Sequence, residues 1–207
     1  MSTLERFILR TTWTSPFGRK VRVAAQILGL ADRITIVPAD VSDENDTLRT
    51  QNPLGKIPCL VGEEGSTVVD SGVIVEYLQH VAGGEKLVPA AGAERFRMLS
   101  RARLADGIID AAALTVYEGR WHDAASTSEP WIAYQAGKVL RALAAFEIDP
   151  PDPKRTDVVS LGLSCALEFL DRRKLVDWRA EFPGLAEWLA IFAAHEPAHD
   201  GTRAAAP

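Results

Sequence analysis

The first eighty residues alternate between short apolar runs and a helical repeat. Residues 7–12 form a short apolar and β-branched run, which is typical of a buried strand. Ser15-Pro16 then resembles a helix start, and the apolar positions that follow recur at helical spacing: Phe17, Val21, Ala24 and Leu28. Residues 34–37 predict a second strand. Two strands joined by one helix this closely indicate a right-handed parallel βαβ unit.

A second pattern follows a polar stretch and the segment Pro53-Leu54-Gly55. The apolar runs 59–61 and 67–69 flank the glycine-bounded turn 62–66, which predicts an antiparallel hairpin. Asp70-Ser71 then opens another amphipathic helix. The predicted order is therefore β-α-β, a loop, and β-β-α.

The pattern changes after Gly83-Gly84. Apolar residues recur at helical intervals, and the sequence predicts helices over 93–121, 129–146, 157–173 and 183–195, with no comparable strand signal. We therefore predict an α/β domain over 1–82, a linker over 83–92 and an all-α domain over 93–207, with a frayed, flexible tail from about residue 197.

Composition narrows the function classes. The 207 residues carry a net charge of −5 with no dense basic block, which disfavours a nucleic-acid partner or a polybasic membrane anchor. We find no signal-peptide pattern and no membrane-spanning apolar run, so we expect a cytoplasmic protein. The cysteines, Cys59 and Cys165, predict no disulfide framework, and the scattered histidines predict no metal site.

Three segments at predicted element ends could carry chemistry. Ser15 lies at a helix N-terminus, where N–H groups and the helix dipole favour an anion such as a thiolate, and its hydroxyl could donate a hydrogen bond to that anion. The alternative is that Ser15 only caps the helix. No histidine base and acid partner are apparent that would make Ser15 a nucleophile.

The other two segments have similar alternatives. Pro58 begins a strand after a glycine loop, where a cis X-Pro bond would turn the preceding backbone outward to pair with an extended peptide; an ordinary strand start is the alternative. Asp70 and Ser71 could hold the ammonium and the carboxylate of an α-amino acid, or could simply cap a helix.

Taken together, the motifs resemble those of the cytosolic glutathione transferases, over about residues 7–196. Ser15-Pro16-Phe17 is similar to the serine motif of plant-type and bacterial members, residues 52–58 (Asn-Pro-Leu-Gly-Lys-Ile-Pro) to the loop before the cis-proline, and Asp70-Ser71 to the acidic-Ser pair. The resemblance implies a thioredoxin-like domain followed by an all-helical domain, with glutathione as co-substrate and no metal.

The resemblance also implies roles for individual residues. Ser15 is the implied catalytic residue, which faces the glutathione sulfur, and the implied glutathione-binding residues are Phe17, Lys56, Ile57, Pro58, Asp70 and Ser71. The Ile57 backbone would pair with the cysteinyl unit, Lys56 would approach the glycyl carboxylate, and Asp70 and Ser71 would hold the γ-glutamyl end. The electrophile pocket is expected between the domains, with candidate residues Trp13, Asp106, Asp110, Tyr117 and Trp121.

Two departures from the family pattern are visible. The Ser-x-x-Asp cap before the core helix appears as Asp157-Val158-Val159-Ser160, and we expect this exchanged cap to work equally well. Redox members carry Cys where this chain has Ser15, and Cys59 is expected to be a buried structural thiol. A mixed-disulfide mechanism is therefore disfavoured.

The expected function is a glutathione S-transferase that presents a glutathione thiolate to a small hydrophobic electrophile, with peroxidase or reductase side activity open. The alternative is a non-catalytic glutathione-binding or regulatory module. A maleylacetoacetate-type isomerase is disfavoured, because its Ser-Ser-Cys-Ser loop is replaced by residues 14–17 (Thr-Ser-Pro-Phe). The resemblance further implies a twofold homodimer.

Overall fold

The structure is a computed structural model that describes residues 6–203. Residues 1–5, which carry most of the N-terminal segment searched for a signal peptide, and residues 204–207 at the end of the predicted tail lie outside this range. The chain divides into two compact units, one up to Ala90 together with the residues from Ala198, the other Ala91–Pro197. The boundary between the two units at Ala90 and Ala91 falls inside the predicted linker, residues 83–92.

The first unit is built on a four-stranded mixed sheet. Its elements before the second unit are β1 (Phe7–Thr11), α1 (Pro16–Ile27), β2 (Ile34–Pro38), α2 (Leu48–Gln51), β3 (Cys59–Val61), β4 (Thr67–Val68) and α3 (Ser71–Ala82). The strand order is β2-β1-β3-β4, with β1 parallel to β2 and antiparallel to β3, and β3 antiparallel to β4. The predicted βαβ and ββα pieces therefore share one sheet, with β1 and β3 at its centre.

The second unit is helical throughout. Its elements are α4 (Gly92–Trp121), α5 (Glu129–Ile148), α6 (Val158–Arg173), α7 (Trp178–Glu181) and α8 (Pro183–His195). Helix α4 packs against both α5 and α6, and twelve of the sixteen residues of α6 are buried, so α6 forms the core of this unit. The short α7 was missed by the sequence pattern, since four residues carry too little periodicity.

The exchanged cap of α6 works as expected. The Asp157 carboxylate accepts hydrogen bonds from the backbone N–H groups of Val159 and Ser160 at 2.9 and 3.1 Å, while the Ser160 hydroxyl accepts one from the Asp157 N–H at 2.9 Å. This reciprocal pair is a capping box with the acid at the N-cap position. It fixes the first turn of the most buried helix.

The part of the predicted tail that the structure describes contains a short helix. Helix α9 (Pro197–Gly201) forms there, and the side chains of His199 and Thr202 are buried. Arg19 of α1 donates hydrogen bonds to the His199 carbonyl oxygen at 2.7 Å and to the Thr202 hydroxyl at 3.4 Å. Burial and the charges of Arg19 and Arg203 lower the pKa of His199 to about 3. A tertiary contact to an early helix thus orders a segment of weak local propensity.

Candidate functional site

The strand register brings the three predicted segments to one end of the sheet. In the antiparallel pair of β1 and β3, Arg10 lies opposite Cys59, so Pro58 sits beside the carboxyl end of β1. In the antiparallel pair of β3 and β4, Leu60 lies opposite Val68, so the carboxyl end of β4 lies at the same end of the sheet. The turn to α1, the loop before β3 and the start of α3 therefore meet at this edge, which is where open α/β sheets place their sites.

Ser15 is the N-cap of α1 and retains a donor. Its hydroxyl oxygen accepts a hydrogen bond from the Gly18 N–H at 3.1 Å, and its side chain is nearly buried. Within residues 6–203 the hydroxyl itself donates to no other group. The two interpretations of Ser15 are thus compatible, because a hydroxyl that caps through its oxygen still has its hydrogen available for an anion.

A close approach of α1 to β1 sets the position of Ser15. A Cβ on Gly18 would lie 1.9 Å from the Thr11 hydroxyl oxygen and 3.0 Å from its Cβ. Thr11 is fully buried. Only glycine therefore fits at position 18 with this helix-to-strand spacing.

Buried positive charge lies behind the first turn of α1. Arg19, Lys20 and Arg22 are only 6%, 4% and 6% exposed. The Lys20 ammonium lies 5.7 Å from the ring centroid of the half-buried Phe17. The Arg22 guanidinium donates to the Trp13 carbonyl oxygen at 3.0 Å and stacks 4.3 Å from the Trp13 ring. Three cationic side chains of α1 are therefore held at low exposure close to its first turn.

The loop before β3 is held from within by Asn52. This buried side chain donates to the Lys56 carbonyl oxygen at 2.8 Å and accepts from the Leu54 N–H at 3.1 Å. The Ile57–Pro58 peptide bond is cis, as the sequence predicts. The Ile57 side chain packs on a small core cluster, while no group within residues 6–203 hydrogen-bonds its backbone. Ile57 therefore presents a free backbone edge, and the Lys56 side chain is exposed.

The sequence pattern missed an arginine that organises the approach to this loop. Arg10 of β1 is 6% exposed, and its guanidinium donates to Asp46 at 2.6 Å and to Thr47 and Gln51 at 2.7 Å each. The backbone N–H groups of Leu48 and Asp40, and Arg10 itself, hold the pKa of Asp46 below its usual range. An arginine inside an otherwise apolar strand is the signal that could have revealed this network.

Asp70 caps α3. Its Oδ1 accepts from the Gly72 N–H at 2.9 Å and the Val73 N–H at 3.4 Å, and the side chain is exposed. The Val69–Asp70 peptide bond is also cis. Ser71, the first residue of α3, is 2% exposed. Asp70 therefore caps α3, and this cap places a carboxylate and a helix N-terminus side by side after the end of β4.

Both cysteines are free and buried. The Cys59 sulfur lies 3.8 Å from the Gln51 carbonyl oxygen, and burial raises the pKa of this thiol, with the Arg10 charge opposing the rise. A raised pKa disfavours the reactive thiolate at neutral pH. The expectation of a structural Cys59 agrees with this environment.

The α4 residues chosen as electrophile candidates share one helix face. Asp106, Asp110, Tyr117 and Trp121 fall within an arc of about 60° at 100° per residue. Asp106 is buried and pairs with Arg103 at 3.2 Å, whereas Tyr117 and Trp121 are 42% and 70% exposed. The fifth candidate, Trp13, belongs to the first unit and is exposed. The face thus offers two aromatic surfaces, and Asp106 is engaged inside its own unit.

In the range 6–203, no helix is long and apolar enough to cross a membrane. No group of three or more His, Cys, Asp or Glu side chains in that range is arranged to hold a metal ion.

Comparison with known proteins agrees with this geometry. Residues 14–81 match the sequence profile described as the N-terminal domain of glutathione S-transferase. The chain is 32% identical over 182 residues, 85% of its own length and 88% of the relative's, to the GST-like protein YibF of Escherichia coli K12. The chain belongs to the glutathione transferase family.

Solved structures extend the similarity to both units. A glutathione transferase family member from Pseudomonas fluorescens Pf-5, crystallised with bound glutathione, is 33% identical with a TM-score of 0.90, and the match covers 97% of this chain and 100% of that one. A glutathione S-transferase from Methylobacillus flagellatus KT with glutathione bound is 30% identical with a TM-score of 0.84, over 95% and 98%. The predicted fold class, a thioredoxin-like domain followed by a helical domain, is confirmed.

Proposed function

We propose that this chain binds glutathione at the end of the sheet in the first unit and activates its thiol for attack on a small hydrophobic electrophile. The observation that carries the proposal is the Ser15 hydroxyl, which caps α1 through its oxygen and retains a hydrogen for an anion. Two relatives with glutathione bound in their crystals support the identity of the ligand.

The binding roles follow the geometry of the three segments. The free backbone edge of Ile57 pairs with the cysteinyl unit, which brings the sulfur toward Ser15 and the α1 N-terminus. The exposed Lys56 ammonium attracts the glycyl carboxylate. Asp70 faces the γ-glutamyl ammonium, while the α3 N-terminus at Ser71 attracts its carboxylate. Pro58 fixes the backbone of this loop, and Phe17 forms the side of the first α1 turn.

Thiolate stabilisation is the catalytic step that Ser15 serves. A free thiol has a pKa of about 8.5, and a helix N-terminus with a hydrogen-bond donor lowers it by about one unit or more, which populates the nucleophile at neutral pH. The thiolate then attacks the electrophile and forms the thioether, and the leaving group departs with its electron pair. The exposed aromatic rings of Tyr117 and Trp121 are proposed to contact the apolar body of the electrophile.

Ser15→Ala and Ser15→Gly variants test the role of the hydroxyl. Glycine is a tolerable N-cap that costs only a few tenths of a kcal/mol, so Ser15→Gly removes the hydroxyl while keeping most of the cap. We expect both variants to lose about tenfold or more in kcat/KM for 1-chloro-2,4-dinitrobenzene, with the pH midpoint of kcat/KM rising toward that of free glutathione. Ser66→Ala, in the exposed hairpin turn, is the matched control.

The same assay separates the proposal from its rival. An unchanged rate and pH midpoint in Ser15→Gly would reduce Ser15 to a cap. Retention of the wild-type chain on immobilised glutathione, with no turnover of aromatic electrophiles or hydroperoxides, would instead identify a binding or regulatory module. In that case the proposed activation of the thiol by Ser15 would be wrong, whereas the proposed binding of glutathione would be supported.

We also propose a homodimer, since the family resemblance implies one and the first turns of α4 expose Phe96 at 71%. The molar mass measured by light scattering after size-exclusion chromatography tests this.

A further inference from the structure

The guanidinium group of Arg10 lies on one face of the central strand β1, and the chemistry proposed so far gives it no role. Its hydrogen bonds go to four acceptors, namely the Asp46 carboxylate, the Thr47 hydroxyl, the Gln51 side-chain oxygen and the Pro38 carbonyl oxygen. Pro38 ends β2, and the other three acceptors belong to α2 or to the two residues before it. One side chain therefore ties the start and the end of α2 to the sheet.

Stability alone is a poor reason for this arrangement. The Arg10 side chain is buried, and its Nε has no hydrogen-bond partner among residues 6–203. A buried donor without a partner is destabilising, and the desolvation of a buried ion pair offsets its attraction. The cross-strand neighbours of Arg10 are Val37 and Cys59, so an apolar side chain would suit this position in the sheet. A guanidinium adds direction instead, because its planar fork holds its partners in a fixed arrangement.

Helix α2 leads directly into the loop that carries the proposed glutathione contacts. Gln51 is its last residue, and the Gln51 carbonyl oxygen accepts the weak S–H donor of Cys59 at 3.8 Å. Asn52 follows, and its side chain closes the loop by hydrogen bonds inside it, one of them to the Lys56 carbonyl oxygen. The loop is thus held by β3 at one end and by α2 at the other. A shift of α2 would therefore shift Lys56 and the backbone of Ile57.

Neighbouring residues of β1 serve the two sides of the proposed thiolate site. Successive side chains of a strand point to opposite faces of the sheet. Thr11 lies against Gly18 of α1 and so sets the position of Ser15, whereas Arg10 reaches α2. The dipeptide of Arg10 and Thr11 thus relates the helix that carries Ser15 to the loop that presents glutathione.

We propose that Arg10 is a positioning residue for glutathione, because it holds α2 and, through Gln51, the loop up to Ile57 in the orientation that binds the peptide. In this role Arg10 does not contact glutathione itself. A loop that is already ordered loses less conformational freedom when its ligand binds, so its affinity is higher. This inference rests on the proposed function, and it assigns Arg10 to the affinity for glutathione and not to the ionisation of the thiol.

Arg10→Met removes the fork and keeps an unbranched side chain. We expect the KM for glutathione with 1-chloro-2,4-dinitrobenzene, and the Kd from calorimetric titration, to rise about tenfold. We expect kcat per folded molecule to change by less than about twofold and its pH midpoint to stay the same, because Ser15 is held from the other face of β1. A purely structural role would instead lower the folded fraction, and with it the apparent kcat, at constant KM.

Substitutions of Gln51 test the link from Arg10 to the loop while the ion pair of Arg10 and Asp46 stays in place. Gln51→Met is expected to raise the KM for glutathione about fivefold. Gln51→Glu keeps an oxygen acceptor for Arg10 and is expected to hold the KM within about twofold of the wild-type value. Arg10→Met/Gln51→Met is expected to raise the KM no more than Arg10→Met does, since both substitutions break the same hydrogen bond.

Arg33→Met is the matched control. Arg33 directly precedes β2 at the other end of the sheet, and its guanidinium lies 5.7 Å from the Phe7 ring centroid. We expect this variant to keep the wild-type KM and kcat. Urea unfolding gives the folded fraction of every variant, by which kcat is divided. If Arg10→Met does not fold, the comparison of Gln51→Met with Gln51→Glu decides the question.

Four outcomes would overturn the role of Arg10. These are an unchanged KM and Kd in Arg10→Met or Gln51→Met, a loss of kcat at constant KM, additive effects in the double variant, and an equal rise of KM in Gln51→Glu or Arg33→Met. Failure of the proposed function is distinguishable from all of these, because the wild-type chain itself would then not bind glutathione, and the inference would fall with it.

Discussion

Substitution of Gly18 by alanine tests whether the contact between α1 and β1 sets the geometry of the proposed thiolate site. The new Cβ would lie 1.9 Å from the Thr11 hydroxyl oxygen, against a normal contact of roughly 3.5 Å. Rotation of the Thr11 side chain gives little relief, since Thr11 is fully buried and its own Cβ is 3.0 Å away. Helix α1 therefore has to move outward by more than an ångström, and Ser15 moves with it.

The expected magnitude follows from two opposing effects. Alanine in place of glycine inside a helix stabilises by about 0.5–1 kcal/mol, whereas overpacking of a close contact costs about 1–3 kcal/mol or more. Gly18→Ala is therefore expected to lower the free energy of unfolding by about 1–2 kcal/mol. Gly107→Ala is the matched control, because a Cβ there meets no atom within 4 Å; it is expected to raise the free energy of unfolding by about 0.5–1 kcal/mol.

Urea unfolding and glutathione titration of the same variants provide the assay. Gly18→Ala is expected to lose both stability and glutathione affinity, and Thr11→Ala/Gly18→Ala is expected to recover part of both, because the closest atom is gone. If Gly18→Ala were as stable as Gly107→Ala, the packing argument would be wrong. If it lost stability but bound glutathione with unchanged affinity, the link from this contact to Ser15 would fail.

Three further predictions concern ionisable groups and caps. The pKa of His199 is lowered to about 3, so on acidification the unfolded chain binds this proton before the folded chain does, and stability falls as the pH drops from about 6.5 toward 3. His199→Phe is expected to reduce the change of Tm with pH over that window. A slope of Tm against pH equal to that of the wild-type chain would contradict the burial of a neutral His199. Asp157→Ala, which removes the α6 capping box, is expected to lower the free energy of unfolding in urea by about 1–2 kcal/mol. The lowered pKa of Asp46 means that its ionised form stabilises the fold above pH about 4. Asp46→Asn is therefore expected to reduce Tm at neutral pH, and the difference in Tm from the wild-type chain is expected to shrink as the pH falls through the folded-state pKa. A deficit that stayed constant with pH would contradict this.

Local signals explain why much of the fold was predictable. Ser15-Pro16, Asp70 and Asp157 each start a helix by a side-chain cap, and such caps depend on residues within one turn. The hairpin of β3 and β4 is likewise set by the glycine-bounded turn between its strands. The candidate site segments stand out in the sequence for the same reason, because they are the ends of these elements.

The features that escaped prediction depend on contacts between residues far apart in sequence. The α9 segment has little local preference for order, and its burial depends on Arg19. The Arg10 network joins β1 to residues more than thirty positions later, so the pattern around Arg10 says nothing of its partners.

The hydrogen bond from the Arg19 guanidinium to the His199 carbonyl oxygen joins residues 180 positions apart, and this separation matters while the chain is being translated. During translation the sheet and α1 emerge long before the segment that supplies the acceptor, since the whole helical unit is made in between. Until residue 199 leaves the ribosome, the hydrogen bond from the Arg19 guanidinium to this carbonyl oxygen cannot form. The first unit to be made is thus finished by the last residues described, and a nascent chain halted before them lacks the segment that accepts the hydrogen bonds of Arg19.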